Sequence, residues 1–339
     1  MKHDLISVII PFYNRANYLP EAVDSVFRQT TGNVELILVD DGSTDASMER
    51  ACRRWKNRGG TMGSAIDNAM GSAANQNTNF SHHSPIRTLI NLRIPHSGMP
   101  GLVRNRGIEL SSGSLIAFLD SDDLWLPRKL ELQLPLHKKF RISHTRETWL
   151  RAESAAPAPS TESAAPASTP VSKLQFRTIS QKSQKHRRSG NIFQDALWKC
   201  IIGPSTVLME KTLFAECGMF REDLEIAEDY EFWLRICSQT DIAYVDAELT
   251  QKRAGMPDQN QLSERCTYIE QFRIQALRKL LETSNCLHSR QRYSAWSILR
   301  KKAEIVRNGA EKRGQAGDEY TKLIQQCDTE MLNVSESAH

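Results

Sequence analysis

"IAFLDSDDLWLP", residues 116–127, drives an apolar run straight into three carboxylates, Asp120, Asp122 and Asp123. The segment "SLIAFLD" (114–120) has the length and composition of a buried strand. A strand that ends in carboxylates presents them at a sheet edge. Residues two apart on an extended chain point the same way, so Asp120 and Asp122 are expected on one side, with Ser121 opposite. Side by side they repel unless a cation lies between them. Oxygen ligands of this kind suit Mg²⁺ or Mn²⁺, which usually keep waters and take further ligands from a diphosphate. The same residues also read as a solvated acidic turn, with Asp123 capping a helix that begins near Pro127.

Outward from this stretch the pattern repeats. "LISVIIPFYN" (5–14) reads as a buried strand closed by proline, and Leu19, Ala22, Val23, Val26 and Phe27 form one face of a helix. "ELILVDDGSTD" (35–45) is a second strand running into the N-cap residues Ser43, Thr44 and Asp45 and a helix over about 46–56. "IRTLINL" (86–92) and "GLVRNRGIELS" (101–111) give a third strand and its helix. Strands alternating with helices predict an α/β fold, a mostly parallel central sheet with helices on both faces. Ligands of such sheets bind beyond the carboxyl ends of the strands. Tyr13, Asn14, Asp40, Asp41, Asp120 and Asp122 all fall there.

Further along, "NIFQDALWKC" (191–200) is expected to be a helix, "TVLME" (206–210) a strand and "KTLFAECG" (211–218) a short helix ended by Gly218. "AEDYEFWLRICSQ" (227–239) reads as a helix with acids in its first turn, and "IAYVDAEL" (242–249) as a strand. From about 260 the chain is helical, with apolar spacing in 271–282 and 294–314. These readings give two regions, 1–258 and a C-terminal helical extension, 259–339. Two polar inserts, about 57–85 and 152–184, lack the apolar residues to offset their ordering entropy and are expected to be flexible surface segments. The first holds His82 and His83, with no third metal ligand evident nearby.

Composition narrows the classes. The net charge of +4 is small for 339 residues; it permits an anionic ligand or a membrane surface, and no nucleic-acid partner is expected. The seven cysteines are scattered without a C-x-x-C pair, which disfavours a zinc knuckle and suggests free thiols in a reducing compartment. Neither a signal peptide nor a membrane span is evident, so a cytoplasmic protein is expected.

Several residues carry two readings. Asp40 and Asp41 either cap the following helix or bond a nucleotide base or ribose. Arg104 is either a surface residue or a contact to a diphosphate, and Asn105 a surface residue or its companion. Glu228 and Asp229 either complement the helix dipole or supply a general base. A dinucleotide-dependent oxidoreductase would want G-x-G-x-x-G after the first strand, and a nucleotidyltransferase a glycine-rich basic loop; "PFYNRANY" offers neither.

The order of the motifs resembles a known family. "ISVIIPFYNRANYLPEAVDSVFRQT", "ELILVDDGSTD", "RNRGI", "AFLDSDDLWLPRKLELQ" and "AEDYEFWLRI" together look like a family 2 glycosyltransferase of the Rossmann-like GT-A fold. The resemblance covers about 1–56, 86–151 and 185–255. It implies an inverting transfer from a nucleotide-diphosphate sugar to a glycan, lipid-linked or other hydroxyl acceptor, in cell-envelope glycan or glycoconjugate synthesis. It implies that Pro11, Tyr13 and Asp41 frame the base and that Arg104 and Asn105 approach the donor. Asp120 and Asp122 match the D-x-D motif, Asp122 as the better metal ligand, and Asp229 matches the base. It also implies that the segment after Lys252 and Arg253, "AGMPDQNQLSE", closes over the donor. The inserts depart from the pattern without removing a motif residue. No Q-x-x-R-W motif follows, which disfavours a processive synthase. A peripheral site on the inner membrane face is compatible with this class, and a non-catalytic binding module of the same fold is the alternative.

Overall fold

The structure is a computed structural model that describes residues 4–57, 66–67, 86–152, 176–180, 187–254, 268–283 and 286–336. The pair His82–His83, the "GMPDQNQLSE" segment and most of both inserts lie outside these residues.

The first strand, β1 (Leu5–Phe12), is buried along nearly its whole length, as expected of a strand covered on both faces. Its neighbours are β2 (Asn33–Asp40) and β5 (Leu115–Phe118), both parallel to it. Outside β2 lie β4 (Ile86–Arg93) and a two-residue strand, β3 (Ile66–Asp67). On the other side of β5 the chain inserts β9 (Leu208–Glu210), antiparallel, then β7 (Ile142–Ala152), β10 (Ala243–Ala254) and β6 (Leu124–Trp125). The sheet is therefore β3-β4-β2-β1-β5-β9-β7-β10-β6, with β8 (Phe176–Ser180) pairing on β7.

Alternation along the strands sends side chains to two cores. Val8, Ile10, Leu36 and Leu38 meet α1 (Leu19–Phe27) and α2 (Ser47–Asn57), whose Trp55 is fully buried. Ile9, Ile37 and Val39 point the opposite way, towards α3 (Pro100–Leu110) and α7 (Glu228–Gln239). A Cβ on Gly107 of α3 would lie 2.4 Å from Ile9 Cγ2, so only glycine permits this approach of helix to strand. The second core continues into the C-terminal helices α8 (Ile269–Thr283), α9 (Ser289–Lys312) and α10 (Asp318–Glu336) through Ile274, Leu277, Leu281, Leu299 and Ile324. The extension thus shares packing with α7.

Four expectations change. The helix expected over 191–200 is confined to α5 (Phe193–Ala196), because Leu197 turns its carbonyl to the Tyr230 hydroxyl at 2.5 Å. The strand expected over 206–210 starts only at Leu208, after a tight turn at Pro204–Thr206. Residues 66–67 and 176–180 of the inserts are strand, because their backbones find partners on β4 and β7. The strand expected to end at Leu249 runs on to Ala254 and carries Lys252 and Arg253 into the sheet. Two short helices, α4 (Lys129–Gln133) and α6 (Thr212–Cys217), and a 3₁₀ helix at Leu134–Lys138 complete the element list among the described residues.

Candidate active site

The loop after β1 is fixed by Asn14, whose φ of 51° is left-handed, a region asparagine tolerates better than most residues. Its backbone N–H donates to Ser43 Oγ at 2.9 Å, and its Oδ1 accepts from Thr44 N at 2.8 Å. The loops after β1 and β2 are thereby joined. Beside them Tyr13, 38% exposed, stacks on His96 with centroids 4.0 Å apart. Pro11 sits in β1 opposite Val39.

Asp41 is buried, and both its carboxylate oxygens are engaged. Oδ1 accepts from Ser97 N and Ser97 Oγ, each at 2.8 Å; Oδ2 accepts from Gly98 N at 3.0 Å and meets His96 Nδ1 at the same distance. Gly42, at φ +75°, permits this clasp, since a Cβ there would meet His96 N at 2.7 Å. Asp40 accepts from Ser43 N at 2.7 Å and so serves the turn before α2. Asp45 accepts from Ser47 N at 3.0 Å at the start of that helix.

The carboxylates of the opening stretch do not lie on an extended strand. β5 ends at Phe118, and residues 120–123 form a turn closed by Asp123 N donating to Asp120 O at 2.9 Å. Asp123 does not cap the next helix; it is buried and accepts from Ser205 Oγ at 2.6 Å. The same Ser205 hydroxyl accepts from Asp120 N at 3.0 Å. Burial pushes the carboxyl of Asp123 well above its ordinary range. Burial and the neighbouring charge of Asp120 also raise Asp122, against the pull of Arg15 and Lys252. Asp120 goes the other way: burial opposes its charge, but Arg104 and Lys252 outweigh burial and lower it.

Arg104, on α3, is 6% exposed. Its Nη2 reaches Asp120 Oδ1 at 2.9 Å and its Nη1 reaches Glu228 Oε1 at 2.6 Å, with the Phe220 ring 5.6 Å away. Asn105, one residue on, belongs to a different contact. Its side chain accepts from Phe220 N at 3.0 Å and donates to Phe220 O at 2.8 Å and Glu222 Oε1 at 2.9 Å. The structure thus brings Arg104, Asp120 and Glu228 together and sends Asn105 to the 220–222 segment.

Glu228 and Asp229 open α7 just after Ala227, whose φ of 66° is uncommon for a residue with a Cβ. This left-handed residue turns the chain so that the helix begins with both acids at the cleft. Burial and the Asp229 charge push the Glu228 carboxyl up to about 7, against Arg104. Asp229 Oδ1 accepts from Tyr230 N at 2.7 Å, and Oδ2 lies 3.5 Å from Cys200 Sγ.

Two residues gain weight from the structure. Burial opposes charge on the Lys252 ammonium, but Asp123, Glu147, Asp120 and Asp122 outweigh it and raise its pKa. Arg253 pairs with Glu21 and donates to Asp122 O at 3.3 Å. Their signal in the sequence was only their place before a polar segment.

A divalent ion fits this donor set. Among the described residues no group of three or more protein ligands is arranged to hold a metal. One or two carboxylates completed by substrate phosphates is the usual protein share for Mg²⁺, and Asp122, with its carboxyl raised beside Asp120, gains from an added cation.

A family model described as "Glycosyltransferase like family 2" matches residues 95–296, and one described as "Glycosyl transferase family 2" matches residues 7–60. The chain belongs to glycosyltransferase family 2. It is 30% identical over 262 residues to an uncharacterized glycosyltransferase of Rickettsia felis, covering 74% of this chain and 33% of that one. The chain spans about a third of the length of the first curated relatives it matches. It is 32% identical over 139 residues to WfgD of Escherichia coli, a UDP-Glc:alpha-D-GlcNAc-diphosphoundecaprenol beta-1,3-glucosyltransferase, covering 41% of this chain and 43% of WfgD. Among solved structures it resembles S. aureus TarS 1-349 in complex with UDP-GlcNAc, with TM-score 0.60 and 14% identity over 97% of this chain and 81% of that one. It also resembles the mannosyltransferase PcManGT from Pyrobaculum calidifontis in complex with GDP-Man and Mn²⁺, with TM-score 0.55 and 13% identity over 99% of this chain and 87% of that one. These likenesses establish the GT-A fold of the family for this chain. Among the described residues no helix is long and apolar enough to cross a membrane.

Proposed function

We propose that this family member transfers a sugar from a nucleoside-diphosphate sugar to an acceptor hydroxyl with inversion at the anomeric carbon. The observation that carries the reading is the Arg104 bridge, which holds Asp120 of the D-x-D turn and Glu228, the neighbour of Asp229, in one cluster. Tyr13, Pro11 and the clasped Asp41 loop receive the base; Asp120 and Asp122 face the diphosphate with a divalent ion, Mg²⁺ or Mn²⁺. When bound, that ion supplies positive charge to the departing diphosphate. Asp229 takes the acceptor proton as the acceptor oxygen attacks from the far side of the sugar ring. Arg104 and Lys252 keep Asp120 ionised at this point, and Asn105 holds the 220–222 segment that backs Arg104.

The bound UDP-GlcNAc and GDP-Man of the structural neighbours support a nucleotide-sugar donor, and the Mn²⁺ of the second supports the cation. The diphosphoundecaprenol acceptor in the name of WfgD supports a lipid-linked glycan acceptor, and with it envelope glycan synthesis at the inner membrane face. We assign the donor site and chemistry to 1–258 and a supporting role to 259–339, whose helices pack on α7. The test is release of nucleoside diphosphate from a panel of UDP-, GDP- and dTDP-sugars with and without Mn²⁺, with the product anomer read by NMR. Release from one donor class with an inverted anomer is expected; a retained anomer refutes the single displacement, and donor binding without release indicates a binding module.

A further inference from the structure

Cys200 lies in the segment that follows α5, and its surroundings are fixed. Its Sγ is 3.2 Å from the carbonyl oxygen of Ile202 and 3.5 Å from Oδ2 of Asp229, both within reach of a sulfur donor. The segment is tied to α7 again three residues earlier, where Leu197 O accepts from Tyr230 OH at 2.5 Å. This bond ties the segment that carries the thiol to the start of α7. Burial and the Asp229 charge raise its pKa, which keeps the proton on sulfur and makes Cys200 a poor nucleophile. It has one proton and two acceptors.

The two oxygens of Asp229 differ. Oδ1 is held by the N–H of Tyr230 at 2.7 Å, and Oδ2 faces Cys200. We propose that Cys200 is a positioning residue whose thiol rotor follows the protonation state of Asp229. The inference rests on the reading of Asp229 as base. While Asp229 is ionised, S–H donates to Oδ2 and holds that oxygen in one orientation. As the acceptor oxygen bonds to the anomeric carbon, the carbon–oxygen bond to the diphosphate breaks and its electron pair leaves with the diphosphate. The acceptor proton passes to Oδ2, which then no longer needs a donor, and the thiol turns to the Ile202 carbonyl. The rotation gives the protonated base no buried donor facing another donor, a clash that would otherwise oppose transfer.

The test compares Cys200→Ala and Cys200→Ser with the parent in the full chain, reading kcat, acceptor KM, donor affinity and the pH profile of kcat. Charged or titratable groups facing Asp229 are Glu228, Arg104 and Cys200, with Lys252 reaching the thiol, and all but Cys200 are common to the three proteins. Cys200→Ala is expected to lower kcat about tenfold and to move the acidic limb to higher pH, because a lost donor favours the protonated carboxyl. Donor affinity should stay at the parent value. Cys200→Ser retains a donor, and should recover kcat and keep the limb at or below the parent's pH. If Cys200→Ala fails to fold, the Cys200→Ser limb alone decides, and an upward shift overturns the rotor. Equal loss in both variants with an unmoved limb also overturns it and leaves Cys200 as packing. Asp229→Asn, run alongside, separates the two claims: full turnover there removes Asp229 as base, whatever Cys200 does.

Discussion

Arg104 and Glu228 form a buried ion pair 2.6 Å apart, although 124 positions separate them in the chain. The same guanidinium holds Asp120, so one side chain carries two carboxylates from different elements. Substituting Arg104→Met leaves Glu228 without its cation and Asp120 with Lys252 alone. Breaking a buried pair in this way costs about 3–5 kcal/mol. Urea denaturation should show a loss of that order, and a loss below about 1 kcal/mol would show that the bridge carries little.

Glu228 links stability to pH. Its folded-state pKa, about 7, lies above the ordinary 4.5, so the native state binds the proton more tightly than the unfolded chain. The contribution is fully present below about 4.5 and is lost as pH rises through about 7. Glu228→Gln keeps an acceptor for Arg104 but cannot titrate. Between pH 5 and 8 the parent should therefore lose more stability than the variant. Parallel melting curves for the two across that range would contradict the assignment.

For Asp122 the expected readout is metal-linked binding. Asp122→Asn removes the charge that faces Asp120 without changing side-chain volume much. Calorimetry with UDP and with GDP, each with and without Mn²⁺, should show that the metal-dependent part of the affinity disappears while the metal-free part persists. Retained metal enhancement would move the ligand role elsewhere.

Asp229→Asn should reduce transfer by about 10²–10⁴-fold, the scale of a general base. The donor should bind as tightly as before, because the base meets the acceptor. Stability should change by no more than about 1 kcal/mol, the size of a helix-dipole contact. Donor affinity and turnover measured on the same purified variant check all three.

Tyr13 offers an exposed face beside its stack on His96. Base stacking on such a ring is worth about 1–3 kcal/mol. Tyr13→Ala should weaken nucleotide binding by that amount with or without Mn²⁺, and Tyr13→Phe should retain it; equal loss in both variants would point to the hydroxyl instead.

The parallel half of the sheet was legible because β1, β2 and β5 are continuous apolar runs and need only local pattern to be read. The strand β7, "ISHTRETWLRA", was harder: its polar residues hide a partner that lies on β10, far away in sequence. Alanine has no preference for left-handed backbone, so nothing announced the turn at Ala227 that delivers Glu228 and Asp229. Motif order singled out Asp120, Asp122 and Asp229 as candidates. The destination of Arg104 was not legible, because an ion pair across 124 residues leaves no local signal. Asn105 looked like its companion, yet neighbours on a helix point about 100° apart, and the two side chains reach different partners.

The antiparallel insertion of β9 between β5 and β7 has a consequence for synthesis. The fully buried residues Leu115–Phe118 emerge from the ribosome about 90 residues before Leu208–Glu210 can pair with them. At about 5–20 residues per second that interval lasts on the order of 5–20 s. Throughout it an apolar strand edge stands open to any other nascent chain. The carboxylates Asp120, Asp122 and Asp123, immediately downstream, place three negative charges at the end of that edge, where they disfavour pairing with a second copy of the same strand.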